Sequence, residues 1–162
     1  MSTQSRTQEK YSKTYPLKET PADTLVVYCS DHRFQAATRS FLDEELGLDG
    51  NYYAVSFPGS VQILTFEKAL PKFANSLLRP IRFLIKNGGV KRIVAIAHED
   101  CVWCKTFVPL YRASRKQEEV ISEQRKDLVS ARRILLAHHP QLTVELFFAN
   151  ISPEETVTFT KI

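Results

Sequence analysis

Residues 91–104 read KRIVAIAHEDCVWC, and this stretch decides the fold class. Its central run, IVAIA at 93–97, is continuously apolar, as expected for a strand that is covered on both faces of a parallel sheet. The run is far too short to span a bilayer. An imidazole, two acids and two thiols follow it within seven residues, on the side of an α/β sheet where ligands bind. We therefore expect a functional site where this strand ends.

Further apolar runs and helical patterns surround this strand, and polar or glycine-containing turns separate them. The alternation of strand and helix predicts an α/β fold with a mostly parallel four-stranded sheet flanked by helices. The predicted strands are 24–29, 52–57, 91–97 and 141–149, with an extra edge strand at the C-terminus, 156–162. The predicted helices are 33–46, then 60–86 with breaks or kinks at Pro71 and Pro80, and about 106–137.

The composition is that of one ordinary globular domain. The chain has 162 residues, of which 43% are hydrophobic and 25% charged, and its net charge is +4. We expect a single α/β domain at 21–162 and a flexible N-terminal arm at 1–20, which is polar and without periodicity.

Charge pattern and cysteine count exclude several classes of protein. Basic residues are interleaved with acidic ones, so we expect no nucleic-acid partner. The N-terminus lacks the apolar core of a secretory signal, and we expect no membrane partner and a cytoplasmic location. Three cysteines do not make a disulfide framework, so their thiols are available for a metal or for catalysis.

Two of the cysteines and one histidine stand at predicted strand ends. Cys29 ends the first strand, and His98 and Cys101 follow the third. If these parallel strands are neighbours, two thiolates and one imidazole meet at one edge of the sheet. Such a set binds zinc and leaves a fourth position open. The alternative is that both cysteines are small core residues and that His98 is a surface cap.

Asp31 and Arg33 lie just beyond the first strand. A guanidinium can hold a carboxylate bidentately and keep it ionised. Ionised Asp31 beside a metal can accept a hydrogen bond from metal-bound water or ligate the metal itself. Alternatively, Asp31 is a helix N-cap and Arg33 is solvated, and both roles can hold together.

The motif C-x-D-x-R at 29–33 and the motif H-x-x-C at 98–101 are separated by one βαβ crossover. This pair resembles the β-class carbonic anhydrases over roughly residues 24–104. The resemblance implies Zn²⁺ held by Cys29, His98 and Cys101, with Asp31 and Arg33 as the catalytic pair. It implies a lyase that reversibly hydrates CO2 to bicarbonate by zinc-bound hydroxide.

The same resemblance implies further roles. Arg33 would hold Asp31 off the metal, and a released Asp31 would become the fourth ligand and close the site. Separately from the resemblance, His32 is a candidate proton shuttle, since imidazole titrates near neutrality; the alternative is a solvated residue in a turn. A homodimer or higher even oligomer is implied, with the N-terminal segment packed across the partner subunit.

The sequence departs from the family in three places, and one of them is His32, where the family often has serine. The segment SFPGS at 56–60 keeps Gly59 but loses the polar pair that the family has there, and Phe57 and Pro58 make the expected substrate pocket more apolar. Val102 stands where the family has glycine. Three alternatives therefore remain: a non-catalytic zinc-binding scaffold, a hydrolase of a related electrophile such as CS2 or COS, and a thiol–disulfide redox protein built on CVWC.

Overall fold

The computed structural model describes residues 13–109, 111 and 116–162. Residues 1–12 of the predicted arm lie outside these ranges, as do residues 110 and 112–115 of the third predicted helix. Residues 13–20 contain no helix or strand and are exposed throughout. The ammonium of Lys18 pairs with the carboxylate of Asp49. The division into an arm and one domain stays a prediction.

One sheet runs through the described residues and confirms the predicted fold class. Its strands are β1 (Thr24–Tyr28), β2 (Tyr53–Ser56), β3 (Arg92–His98), β4 (Thr143–Ile151) and β5 (Val157–Lys161). They lie in the order β2-β1-β3-β4-β5. The first four are mutually parallel, and β5 pairs antiparallel with β4 as the predicted edge strand.

Helices connect the strands and flank the sheet. The α-helices are α1 (Gln35–Ser40), α2 (Pro71–Asn87), α3 (Val102–Phe107) and α4 (Gln117–His138). A 3-10 turn, His32–Phe34, precedes α1, and a π-helical turn, Phe41–Glu45, continues it. A longer 3-10 helix, Ser60–Phe66, follows β2. Among the described residues, no helix combines the length and the apolarity needed to cross a bilayer.

Two prolines in the second helical segment act differently from one another. Pro71 begins α2, where the missing N–H removes no intrahelical hydrogen bond. Pro80 lies inside α2, which nevertheless continues to Asn87, so the predicted break at Pro80 does not occur. The buried face of the helix, which includes Leu77, Leu78 and Ile81, packs on the sheet and outweighs the lost hydrogen bond.

The predicted helix at about 106–137 is interrupted after Phe107, and a third proline explains the interruption. α3 ends at Phe107, and Val108 is extended, with φ −106° and ψ 103°. Pro109 follows Val108, and a proline ring disfavours helical backbone at the preceding residue. α4 then begins at Gln117.

Both faces of β3 are covered, which accounts for its unbroken apolar sequence. Ile93, Ala95 and Ala97 belong to the main core, together with residues of α2, α3, α4 and the 3-10 helix. Val94 and Ile96 belong to a second core with Phe41 of the π-helical turn. Alternate residues of a strand face opposite sides, so a strand between two cores is apolar at every position.

Candidate metal centre

Two adjacent parallel strands bring the predicted ligands to one point. β1 pairs with β3 in a register that ends at Tyr28 and Ile96, so Cys29 and His98 lie at the same edge of the sheet. Cys101 joins them at the start of α3. The potential ligand atoms of Cys29, His98 and Cys101 all lie within 4.8 Å of one another, and all three residues are buried. The two sulfur atoms are 3.9 Å apart.

His98 presents one ring nitrogen as a free acceptor. Its Nδ1 lies 2.7 Å from the carbonyl oxygen of Glu99, which accepts a hydrogen bond and thereby places the proton on Nδ1. The other nitrogen, Nε2, is buried and has no hydrogen-bond partner among the described residues. Phe34 packs against the imidazole with a centroid separation of 4.1 Å and fixes its plane. A buried nitrogen of this kind calls for a partner, and a bound metal ion would supply one.

The pKa values of the Cys29 and Cys101 thiols are raised by their surroundings. Hydrogen bonding with Cys101, followed by burial, raises the pKa of Cys29 to about 12. Hydrogen bonding with Cys104, together with burial, raises the pKa of Cys101 to about 11. A divalent cation stabilises thiolates and accepts the lone pair of His98 Nε2, so this donor set fits a borderline-soft metal.

A layer of amide groups supports the ligands. The backbone N–H of Gly59 points at Sγ of Cys29 at 3.4 Å. The side chain of Gln124 in α4 donates to the carbonyl oxygen of His98 at 3.3 Å. Gln62 donates in turn to the carbonyl oxygen of Gln124 at 2.9 Å. Supporting hydrogen bonds of this kind orient metal ligands.

The third cysteine lies beside the ligand set without joining it. Cys104 is 1% exposed, and its Sγ lies 3.6 Å from Oε1 of Gln62. The cluster of potential ligands among the described residues consists of Cys29, His98 and Cys101. The side chain of Cys104 is therefore occupied by a partner from the 3-10 helix.

Asp31 is both the cap of a 3-10 turn and one half of an ion pair. It caps the 3-10 turn, since its Oδ1 accepts from the backbone N–H of Arg33 at 3.0 Å. It also forms a bidentate ion pair with the same residue, at 3.1 Å from Nε to Oδ1 and 2.7 Å from Nη2 to Oδ2. These hydrogen bonds from Arg33 lower the pKa of Asp31 to about 2. The carboxylate is thus ionised and accepts hydrogen bonds at any physiological pH.

Asp100, which the sequence analysis did not select, lies on the other side of Arg33. Nη1 of Arg33 donates to Oδ2 of Asp100 at 2.8 Å, and Lys105 contacts Oδ1. Although burial opposes the change, the hydrogen bonds from Lys105 and Arg33 lower the pKa of Asp100. The only sequence signal was a second acid within HEDC, and that signal does not reveal a partner in another element.

A cavity of about 560 Å³ opens over the two cysteines of the cluster. Cys29 and Cys101 lie in its lining, and charged groups and apolar groups share the remainder. The other lining residues are Ser30, Asp31, His32, Arg33, Asp100, Lys105 and Thr106 on the polar side, and Pro58, Val102, Trp103 and Phe107 on the apolar side.

The remaining predicted site residues lie at different depths. His32 lines the cavity with its side chain 95% exposed, and its Nδ1 is 3.9 Å from Oδ1 of Asp31. Within the segment 56–60, Pro58 lines the cavity, whereas Phe57 packs against the main core. Gly59 lies beneath the ring of Trp103. The apolar wall of the cavity therefore comes mainly from α3.

The chain shares its fold with solved β-carbonic anhydrases. The β-carbonic anhydrase CafA of Aspergillus fumigatus superposes with a TM-score of 0.56 at 15% identity, covering 88% of this chain and 76% of that one. The carbonic anhydrase of Glaciozyma antarctica gives 0.53 at 14% identity, covering 87% and 82%. Isoform I from Trichomonas vaginalis gives 0.52 at 13% identity, covering 91% and 87%.

No family model matches the chain, and no curated protein matches it. The structural likeness confirms the resemblance drawn from the two motifs at the level of the fold. The chain has a β-carbonic anhydrase-like fold and a cysteine–histidine–cysteine cluster that could bind a metal.

Proposed function

We propose that this chain is a zinc-dependent lyase that reversibly hydrates CO2 to bicarbonate. The observation that supports it most is the buried Cys29–His98–Cys101 cluster, whose His98 Nε2 has no partner among the described residues, on a fold shared with β-carbonic anhydrases. The Asp31–Arg33 ion pair stands at the same cavity. The fold alone would be compatible with many activities, so the proposal depends on this cluster.

Each ligand would contribute one donor atom. Zn²⁺ would be held by Sγ of Cys29, Sγ of Cys101 and Nε2 of His98. Three protein donors are typical of a catalytic zinc site, whereas structural sites usually have four. When bound, the zinc supplies the Lewis acidity that ionises water near neutral pH.

The other side chains would orient the reactants. Asp31 accepts a hydrogen bond from the attacking water, and Arg33 keeps its carboxylate ionised and paired. CO2 is nonpolar, and Pro58, Val102 and Trp103 offer it an apolar wall in the cavity. Hydration of CO2 releases one proton with each bicarbonate, and the exposed His32 is suited to carry that proton to solvent.

The same wall supports a second candidate substrate class. COS and CS2 are linear like CO2 and less polar than water, and Val102 and Phe107 are unusually exposed for apolar residues, at 66% and 41%. The redox alternative has less support. A dithiol that exchanges with proteins needs an accessible thiolate, but Cys101 and Cys104 are 2% and 1% exposed.

Zinc analysis followed by stopped-flow kinetics tests the proposal. Protein purified without added metal should carry about one zinc per chain, and hydrate CO2, with COS and CS2 hydrolysis assayed in parallel. The Cys29→Ser, Cys101→Ser double variant should lose the metal and the activity. Stoichiometric zinc in the double variant would refute the ligand assignment. Zinc in the wild type without any of these activities would indicate the non-catalytic scaffold.

We also propose a homodimer or higher even oligomer, in which residues 1–20 pack across the partner subunit. The family resemblance supports it, together with the exposure of residues 13–20 on their own subunit. Light scattering at micromolar concentration measures the mass directly. A mass near 18.6 kDa, that of one chain, would contradict this assembly.

A further inference from the structure

Arg33 is shared between two carboxylates that come from different strands. One edge of its guanidinium, Nε and Nη2, faces Asp31, which follows β1. The remaining nitrogen, Nη1, faces Oδ2 of Asp100, which follows β3, and Nη2 also reaches the backbone carbonyl oxygen of Asp100 at 3.2 Å. Two opposite sides of the guanidinium are therefore fixed.

Asp100 is itself held in place. Its backbone has φ +58°, which lies in the left-handed region. Non-glycine residues occupy this region at an energetic cost, and among them Asp and Asn tolerate it best. Oδ1 of Asp100 contacts Nζ of Lys105 one turn along α3, so each carboxylate oxygen has its own cation. Asp31, Arg33, Asp100 and Lys105 thus form an alternating chain of charges along the cavity.

Without Asp100, the contact between Arg33 and Asp31 would lack a support. The Arg33 side chain is 40% exposed, whereas that of Asp31 is only 10% exposed. A long and half-exposed side chain loses considerable rotamer freedom when it is fixed by one partner alone. A second carboxylate on the opposite side restricts the guanidinium to the position in which it pairs with Asp31.

We propose that Asp100 is a positioning residue that holds Arg33 in place, so that Asp31 stays paired and does not ligate the metal. The inference rests on the proposed function, because the placement of Asp31 affects a reaction rate only if the chain hydrates CO2. A simpler role for Asp100 would be to stabilise the turn between β3 and α3. The two roles differ in what they do to Arg33 and to kcat.

Asp100→Asn is the first test variant, since asparagine tolerates the left-handed backbone and removes only the charge and one acceptor. Asp100→Gly removes the whole carboxylate without backbone strain, and it serves if the first variant does not fold. Asp49→Asn is the matched control. Asp49 also has a positive φ, +45°, and pairs with a lysine, but it lies outside the cavity.

Two readouts separate positioning from folding. The first is hydrogen exchange of the Arg33 Nε–H, followed by NMR and assigned through its loss in Arg33→Lys. Both Asp100 variants should accelerate this exchange by about tenfold or more, because charge-assisted hydrogen bonds hold the group. The second is the split between kcat and KM for CO2. We expect kcat to fall about 10- to 100-fold with KM nearly unchanged, while zinc content and Tm stay close to those of wild type.

The outcomes decide between the readings. Unchanged exchange of the Arg33 Nε–H in both variants would overturn the proposal, as would an unchanged kcat in an active wild type. A lower Tm with unchanged kcat would leave Asp100 as part of the turn only. If the wild type hydrates no CO2, the proposed function fails separately. The NMR signal then decides alone, with accelerated exchange supporting the contact and unchanged exchange refuting it.

Discussion

Trp103 lies directly over Gly59, so closely that a Cβ atom on Gly59 would come within 2.6 Å of Cε3 of the indole. Gly59 also has φ +81° and points its N–H at the sulfur of Cys29. A single backbone position therefore meets three demands: a left-handed turn, the close approach of an aromatic ring and a hydrogen bond to the Cys29 sulfur. Only glycine satisfies all of them.

Gly59→Ala should lower the free energy of unfolding by about 2 to 4 kcal/mol, from left-handed strain and steric overlap with Trp103 together. Gly50→Ala is the matched control, because Gly50 has φ +70° with nothing within 4 Å of an added Cβ. Gly50→Ala should lower the free energy of unfolding only by the cost of the left-handed backbone, about 1 to 2 kcal/mol. Urea denaturation of both variants measures the difference. Equal losses would mean that the ring of Trp103 moves aside freely.

Cys104→Ser should retain zinc and the fold. The serine hydroxyl can donate to Oε1 of Gln62 in place of the thiol, which now lies 3.6 Å from that atom. Cys101→Ser is its counterpart and should lose most of the metal, because it removes one of three ligands. Elemental analysis of both proteins gives the zinc per chain. Loss of zinc from Cys104→Ser would indicate a four-ligand, closed site and favour the scaffold.

Asp31→Asn should lower kcat for CO2 hydration about 100- to 1,000-fold, since an oriented acceptor at the reacting water is lost. Asparagine is also a good N-cap, so Tm should change little. Arg33→Ala should likewise lose activity, because the freed carboxylate can reach the metal. Stopped-flow rates with zinc content and Tm measured alongside provide the check.

The control for these variants is Arg39→Ala. Arg39 pairs with Asp43 on the surface of α1 and lies outside the cavity, so its loss should leave the hydration rate unchanged. Near-wild-type rates for Asp31→Asn would show that Asp31 is only a helix cap.

Glu145→Gln should destabilise the protein at pH 7 and not at low pH. Glu145 in β4 accepts from Lys161 in β5 at 2.7 Å and from Arg92 in β3 at 2.6 Å. The hydrogen bond from Lys161 lowers the pKa of Glu145. Burial opposes this change, and the hydrogen bond from Arg92 adds to it. A depressed folded-state pKa stabilises the fold above the unfolded pKa and loses this effect as the pH falls through the folded value.

The expected loss for Glu145→Gln is about 0.5 to 1.5 kcal/mol at pH 7, shrinking towards zero below about pH 4. Urea denaturation at several pH values between these limits measures it. Glu44→Gln, at an exposed position on the π-helical turn, is the control and should show no such dependence. If the difference in unfolding free energy between wild type and Glu145→Gln persists at low pH, then packing of the side chain, rather than its charge, stabilises the sheet.

The sheet and the Cys29–His98–Cys101 cluster could be predicted from the sequence for one reason. Parallel strands buried on both faces are apolar at every position, as in residues 93–97, and their carboxyl ends collect at one edge. From this rule the sequence predicts that Cys29 lies near His98, as the pairing of β1 with β3 confirms. The pairing of Asp31 with Arg33 was readable because the two lie close in the chain.

Contacts between distant turns were not readable. Asp100 contacts Arg33 across 67 positions of sequence, and the motif HEDC does not indicate that the backbone of Asp100 is left-handed. The break between α3 and α4 was readable in principle from Pro109, but the helical spacing farther along the chain outweighed it in the prediction. At Pro80 the opposite error occurred, because burial of Leu77 and Ile81 overrides a proline that local rules treat as a stop.

The distance along the chain between Cys29 and Cys101, 72 residues, also constrains when the ligands can meet during folding. Closing a loop of that length in an unfolded chain costs about 4 kcal/mol of entropy. The thiols therefore rarely meet before β1 has paired with β3, and parallel pairing of this non-local kind is a slow step of folding. His98 and Cys101, by contrast, are neighbours from synthesis onward. A nascent chain would hold a metal ion only weakly with these two, and firm retention would mark the moment at which the central strands have joined.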